Sequence, residues 1–220
     1  MADTPAARGD PTRIDEVDLA PYLHPAPLVV VISGTSGAGK DATIQRLKEM
    51  SCPFHFVVTA TTRPPRADEV HGADYIFCSR SEFERMIAHG ELLEYAQVYG
   101  DYKGILTEQV RRALASRRDV VLRVDVQGAA RLRELMPEAV FIFLTASSEE
   151  ELIGRLRARR SETDEALQRR VAMARAEMQE MHRFDYVIVN RDSQLDCTVQ
   201  RILAIMQAEK CRARPRRATL

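Results

Sequence analysis

The stretch that decides the fold spans residues 29–40 and reads Val29-Val30-Val31-Ile32-Ser33-Gly34-Thr35-Ser36-Gly37-Ala38-Gly39-Lys40. Its first four residues are β-branched and apolar, a composition typical of a parallel strand buried on both faces. The glycines that follow allow a positive φ and a close approach of the backbone to a ligand. Apolar residues at helical spacing come after Lys40, so the stretch predicts a strand, a phosphate-binding loop and a helix whose N-terminus faces the phosphates.

Position 41 departs from the phosphate-loop pattern G-x-x-x-x-G-K-[ST], because it is aspartate instead of serine or threonine. The hydroxyl that usually contacts Mg²⁺ is therefore missing. A carboxylate is also a hard oxygen ligand, so Asp41 is a candidate metal ligand, directly or through water. It also suits the first turn of a helix, and the sequence leaves both interpretations open. A glycine turn without any ligand is the simpler alternative for the loop as a whole.

Composition and charge limit the classes of protein to which the chain can belong. Its 220 residues are 45% hydrophobic, which is enough to bury the core of one α/β domain. The 32 basic and 32 acidic residues cancel, so we expect no global field that recruits nucleic acid or a membrane surface. The four cysteines form no C-x-x-C pair, which argues against a zinc site. No apolar run is long enough to span a bilayer.

Along the chain, residues 1–27 contain five prolines and predict an irregular arm. Residues 54–60 predict one apolar strand, and the short strands between residues 54 and 105 predict a small mixed sheet beside the main one. An arginine-rich helical pair follows residue 149 and fits either a solvated surface or a lid. The basic residues after position 209 predict a frayed tail.

Three side chains in the middle of the chain suit the binding of a second ligand. Arg63 and Arg66 stand in a proline-interrupted loop, and two guanidinium groups match the geometry of a phosphate. Asp125 follows a predicted parallel strand, at the edge where open α/β sheets bind ligands. Two solvated arginines are the alternative for the loop.

Four segments at these spacings resemble the guanylate kinases. They are Gly34 to Lys40, Thr61-Thr62-Arg63 with Arg66, Glu94-Tyr95-Ala96-Gln97, and Asp125-Val126-Gln127-Gly128. The resemblance covers residues 28–209 and implies an α/β fold: a P-loop kinase core with a parallel sheet flanked by helices, a small mixed-sheet GMP-binding subdomain near residues 59–105, and a helical lid near residues 155–170. It implies transfer of the γ-phosphoryl group of ATP to GMP, and to dGMP, with Mg²⁺ bound to ATP. Residues 210–220 form a basic tail outside it.

The resemblance also implies a role for each matching residue. The ATP-binding positions are Gly34, Thr35, Ser36, Gly37, Ala38, Gly39, Lys40, Asp41 and Asn190. The GMP-binding positions are Thr59, Arg63, Arg66, Tyr75, Glu94 and Asp125, of which Thr59 and the two acids address the guanine. The residues implied to be catalytic are Lys40, Arg155, Arg159 and Arg170.

Several positions depart from the pattern of many family members. Lys103 replaces a tyrosine, Ile105 replaces a serine or threonine, and Arg123 replaces an acidic residue. Together with Asp41, these residues resemble the plant organellar branch, which implies a plastid or a mitochondrion, with the cytoplasm as the alternative. Two other functions stay open at this point: a guanylate-kinase-like protein-binding module without catalysis, and a P-loop kinase for another phosphorylated small molecule.

Overall fold

The computed structural model describes residues 18–67, 69–98, 100–158 and 164–220. The strands are β1 (Val29–Gly34), β2 (His55–Phe56), β3 (Thr59–Thr61), β4 (Tyr75–Phe77), β5 (Leu92–Val98), β6 (Asp101–Leu106), β7 (Val120–Arg123), β8 (Val140–Thr145) and β9 (Tyr186–Val189). The helices are α1 (Ala20–Leu23), α2 (Lys40–Glu49), α3 (Arg80–Ala88), α4 (Thr107–Ala115), α5 (Val126–Leu135), α6 (Glu149–Ala158), α7 (Asp164–Gln179) and α8 (Leu195–Lys210), with a 3₁₀ turn at Glu180–Arg183.

The main sheet is parallel throughout and has the strand order β2-β7-β1-β8-β9. Strand β1 lies at its centre, and all six of its residues are buried. Alternate side chains of β1 enter two cores: Val30 and Ile32 pack on the α2 and α8 side, whereas Val29 and Val31 pack on the α4 and α5 side. Helices on both faces of a parallel sheet confirm the predicted P-loop kinase core.

A second sheet, with the order β4-β3-β6-β5, contains one parallel and two antiparallel pairings. It confirms the predicted mixed sheet. The prediction of one strand over residues 54–60 is wrong, because β2 pairs with β7 in the main sheet whereas β3 belongs to the second sheet. The chain leaves the main sheet at Val58, whose N–H donates to the side chain of Gln109 at 3.1 Å. The run from Phe54 to Ala60 has high β-propensity throughout, so composition does not reveal the break.

The helical pair α6 and α7 packs beside the phosphate loop. Leu152 and Ala174 join the two helices in a small buried cluster, and Arg175 of α7 forms an ion pair with Glu149 of α6. A Cβ built on Gly37 would lie 3.0 Å from a methyl group of Leu152, so the base of the pair touches the loop. This is the position that the predicted lid requires, although residues 159–163 lie outside the described residues.

The two ends of the described chain are more ordered than the sequence predicts. The predicted irregular arm contains the short helix α1, and its residues 1–17 lie outside the described part. The prediction of a frayed tail is wrong: Arg216 donates to the buried Glu209 at 2.7 Å and to the carbonyl of Ala139 at 3.1 Å. The tail stays in place because its guanidinium neutralises a carboxylate that the fold has already buried. Among the described helices, none is both long and apolar enough to cross a bilayer.

Candidate active site

The phosphate loop joins β1 to α2, and its glycines are required by contacts as well as by φ. Gly34 has φ +138°, and a Cβ there would lie 1.9 Å from the carbonyl oxygen of Leu144 in β8. Gly39 has φ +87°, and a Cβ there would lie 2.4 Å from the side-chain nitrogen of Asn190. Any larger residue at either position would displace the loop from the sheet.

Lys40 opens α2 and folds back across the loop. Its Nζ donates to the carbonyl oxygens of Gly34 at 2.6 Å and of Thr35 at 3.0 Å. The ammonium group therefore lies over the concave side of the loop, where the backbone N–H groups and the helix N-terminus favour an anion. This is the predicted position of the donor phosphates.

Glu177 is a loop contact that the sequence analysis missed. It comes from α7, is 9% exposed, and accepts a hydrogen bond from the N–H of Ser36 at 2.7 Å. Burial raises the pKa of Glu177, while the nearby charge of Lys40 opposes that rise. A carboxylate oxygen thus sits on a loop N–H that also suits a phosphate oxygen. Nothing in the sequence near position 177 marks it, because its partner is 141 residues away.

Two predicted residues lie behind the loop. The side-chain amide of Asn190 donates to the carbonyl of Ala38 at 2.8 Å and accepts from the hydroxyl of Thr198 at 2.9 Å. Arg155 donates to the carbonyl of Asn190 at 2.7 Å and forms an ion pair with Glu151. Both side chains therefore brace the loop through its backbone. Arg159, also predicted, lies outside the described residues.

One cavity brings most of the predicted site residues together. Those that line it are Ser36, Gly37, Ala38, Gly39, Lys40, Asp41, Thr59, Arg63, Arg66, Tyr75, Glu94, Asp125 and Arg170. Lys103, Arg123 and Glu177 line it as well. The phosphate loop forms one wall, and the mixed sheet together with the end of β7 forms the other. The other predicted residues of the described chain lie outside the cavity lining. Gly34 and Thr35 begin the loop itself, and Arg155 and Asn190 contact its backbone.

Two acids stand together at the inner end of the mixed-sheet wall. Glu94 is 5% exposed, and burial, reinforced by the negative charge of Asp125, raises its pKa to about 8. Asp125 caps α5 by accepting from the N–H of Gly128 at 2.9 Å. A Cβ on Gly128 would lie 2.7 Å from a carboxyl oxygen of Glu94, so the glycine makes room for this acid.

The predicted phosphate arginines are held by an acid that the sequence analysis did not single out. Arg63 donates to both carboxylate oxygens of Glu69, each at 2.8 Å, and its guanidinium lies 5.0 Å from the ring centre of Tyr75. The backbone N–H of Arg66 donates to Glu69 at 2.8 Å. Burial of Glu69 favours its neutral form, but the hydrogen bonds from Arg63 and Arg66 hold the pKa of this carboxyl below its usual value.

The residues that depart from the family pattern occupy different environments. Ile105 is fully buried in the core beside Val110, so its side chain lies in the hydrophobic core. Lys103 lines the cavity, and burial, together with the charge of Lys40, lowers its pKa to about 8. The cavity thus contains an acid and a lysine that both titrate near neutral pH.

Asp41 and Arg123 form the third departure, and they contact each other. Arg123 Nη1 donates to Asp41 Oδ1 at 2.8 Å, and Arg66 Nη1 lies 3.7 Å from Asp41 Oδ2. The role of Asp41 as a metal ligand remains a prediction. Within the described ranges, no group of three or more histidine, cysteine, aspartate or glutamate residues is arranged to hold a metal ion.

Comparisons with known proteins agree with this geometry. The family model described as guanylate kinase matches residues 27–209. "Guanylate kinase 2, chloroplastic/mitochondrial" of Oryza sativa subsp. japonica is 52% identical over 206 residues, which cover 93% of this chain and 72% of the rice protein. The guanylate kinase of Halalkalibacterium halodurans is 42% identical over 185 residues, covering 84% of this chain and 90% of the relative.

A solved structure has the same arrangement. The crystal structure of guanylate kinase from Anaplasma phagocytophilum superposes with a TM-score of 0.70 at 28% sequence identity, and the match covers 86% of this chain and 88% of that one.

Proposed function

The chain belongs to the guanylate kinase family, and we propose that the cavity between its phosphate loop and its mixed sheet is where the γ-phosphoryl group of ATP passes to GMP. The protein is accordingly an ATP:GMP phosphotransferase, a nucleoside monophosphate kinase. The observation that supports this assignment of the site is that Lys40, Arg63 and Glu94 line one cavity, as transfer between a donor and an acceptor bound side by side requires.

The acceptor half of the cavity offers groups complementary to both ends of GMP. Guanine presents N1–H and N2–H₂ donors, which Glu94 and Asp125 can accept, with Thr59 beside them. Adenine presents an acceptor at N1 and has no amino group at C2, so AMP lacks both donors that would pair with the ionised acids. Arg63, Arg66 and Tyr75 line the same cavity and would bind the phosphate.

The donor half supplies positioning and charge neutralisation, which is most of what phosphoryl transfer requires from a protein. The loop N–H groups and Lys40 would hold the β- and γ-phosphates of ATP. Arg170, from the lid helix α7, lines the same cavity and would face the transferring group. A GMP phosphate oxygen is already a nucleophile, so no general base is required. The phosphate oxygens of ATP would carry the Mg²⁺ that this chemistry uses.

The other two functions are less well supported by the site. A binding module has no use for a complete phosphate loop with a lysine folded over it at 2.6 Å. A kinase for another phosphorylated acceptor would not need the buried Glu94 and the half-buried Asp125 in the same cavity lining. The similarity to a chloroplastic/mitochondrial relative supports an organellar location, which a fluorescent fusion of the full chain would test.

The test of the proposed function is an ADP-release assay with the full chain, Mg²⁺, ATP and one acceptor at a time. We expect rapid turnover with GMP, slower turnover with dGMP, and rates with AMP, CMP and UMP at least about 100-fold lower. Comparable turnover with AMP and GMP would contradict the proposed reading of guanine.

A further inference from the structure

Arg123 occupies a position that P-loop enzymes use for a different purpose. It ends β7, the parallel neighbour of β1, and pairs in register with Ile32 just before the phosphate loop. In many P-loop enzymes the loop Ser/Thr and an aspartate at the end of a core strand hold Mg²⁺ from the protein side. Here the hydroxyl position is Asp41 and the neighbouring strand ends in an arginine.

These two residues form one ion pair instead of a metal site. The side chain of Arg123 is 12% exposed, and its guanidinium donates from Nη1 to Asp41 Oδ1 at 2.8 Å and from Nη2 to the carbonyl of Asp74 at 2.9 Å. Its centre lies 4.1 Å from the ring centre of Tyr75. A metal ion bound to Asp41 would share that carboxylate with a guanidinium, at a separation where like charges repel. The residues present therefore do not fit a Mg²⁺ ion held by the protein.

The same contacts place Arg123 among the groups proposed to bind the acceptor phosphate. Tyr75 is contacted by the guanidinium groups of Arg63 and Arg123, and Asp41 is approached by Arg66 and Arg123. Three guanidinium groups in this cluster thus face two carboxylates, Asp41 and Glu69. The excess of positive charge suits a phosphate dianion.

We propose that Arg123 is a third arginine of the acceptor-phosphate site, and that Asp41 is the residue that positions it. The ligand is the phosphate group of a nucleoside monophosphate, and the proposal rests on the proposed function for the identity of that nucleotide. Asp41 belongs to α2 directly after the phosphate loop, so it links the donor loop to the acceptor arginines without a metal ion.

The experiment measures binding without catalysis. Isothermal titration calorimetry of the full chain with GMP and with guanosine, in EDTA and without ATP, distinguishes the contribution of the phosphate to the affinity from that of the base. We expect Arg123→Met to weaken GMP binding about 10- to 100-fold, the range for losing a charged hydrogen bond, and to leave guanosine binding unchanged. Arg118→Met is the matched control, because Arg118 is exposed and lies just before the opposite end of β7.

Asp41→Asn distinguishes a positioning role from a metal-binding role. With EDTA present, a metal ligand has no effect on GMP binding, whereas a positioning residue does, so we expect Asp41→Asn to weaken GMP binding about threefold to tenfold. If Arg123→Met does not fold, as judged by its thermal transition, Arg123→Lys replaces it. We then expect a smaller loss of GMP affinity, because the ammonium group keeps the charge but cannot donate two parallel hydrogen bonds as a guanidinium does.

Three results would overturn the proposal: unchanged GMP affinity in both variants, parallel loss of guanosine and GMP binding, or a defect of Asp41→Asn that appears only with free Mg²⁺. The proposed function is tested separately by the wild-type protein. If wild type phosphorylates GMP but Arg123→Met binds it normally, only the role of Arg123 fails.

Discussion

The donor loop and the acceptor pocket face each other across one cavity but are held by different forces. The loop is fixed through its backbone: Gly34 packs against Leu144, and Asn190 donates to Ala38. The acceptor pocket is held by charge, with ion pairs from Arg63 to Glu69 and a buried Glu94 whose pKa is raised to about 8. We therefore expect ATP to bind to a shape that already exists, and GMP to change the ionisation of Glu94 when it binds.

Removing the charge of the donor loop should have the largest effect on rate. We expect Lys40→Ala to lower kcat about 100- to 1,000-fold, because its ammonium group would neutralise the donor phosphates. We expect little change in the thermal unfolding temperature, since Nζ donates to the loop carbonyls of Gly34 and Thr35. Lys48→Ala is the matched control, since Lys48 lies in the same helix and its Nζ donates to Ala73, away from the loop. Substantial ADP release by Lys40→Ala would show that the loop acts without its lysine.

Neutralising the acids of the acceptor pocket should affect selectivity before rate. We expect the combination of Glu94→Gln and Asp125→Asn to reduce the ratio of kcat/KM for GMP over AMP about 100-fold. Asparagine is also a good helix N-cap, so the substitution at position 125 should preserve the start of α5. An unchanged ratio would show that other residues recognise guanine.

Removing one acceptor arginine should change the KM for GMP without changing the KM for ATP. We expect Arg66→Ala to raise KM for GMP about tenfold and to leave KM for ATP unchanged, because its guanidinium faces Asp41 and Glu69 on the acceptor side. Arg112→Ala, which breaks an exposed ion pair with Glu108, is the control. A change confined to KM for ATP would reverse the assignment of the two sites.

The difference between the donor loop and the acceptor pocket also explains how much of the site could be predicted from the sequence. The strand, the glycines and Lys40 are adjacent in sequence, so local chemistry was enough to predict the donor loop. The acceptor residues come from separate segments, and only the family resemblance identified them as a set.

Contacts between residues that are distant in the chain could not be predicted from the sequence. Glu177 meets Ser36 across 141 residues and Arg123 meets Asp41 across 82, and neither pair has a pattern that periodicity or spacing could detect. The break between β2 and β3 was hidden for a related reason, because both halves of that run have high β-propensity and the difference lies in the strands with which they pair.

The most direct test of the difference between the two halves is the proton released when GMP binds. At pH 7.5 a pKa of about 8 leaves Glu94 mostly protonated in the nucleotide-free protein. The guanine donors favour the carboxylate, so GMP affinity should rise with pH up to about pH 8. Above that pH the loss of the positive charge of Lys103, whose pKa is also about 8, should lower the affinity for the phosphate. The phosphate of GMP, with its second pKa near about 6, is already ionised at that pH and contributes little.

Calorimetric titration of GMP at pH 7.5 in two buffers of different ionisation enthalpy measures that proton directly. We predict a net release of less than one proton per GMP bound by the wild-type protein, because at this pH the release from Glu94 exceeds the uptake by Lys103, and no net release by Glu94→Gln. A binding enthalpy that is the same in both buffers, or a release that persists in Glu94→Gln, would contradict the claim that this buried acid changes its ionisation to read guanine.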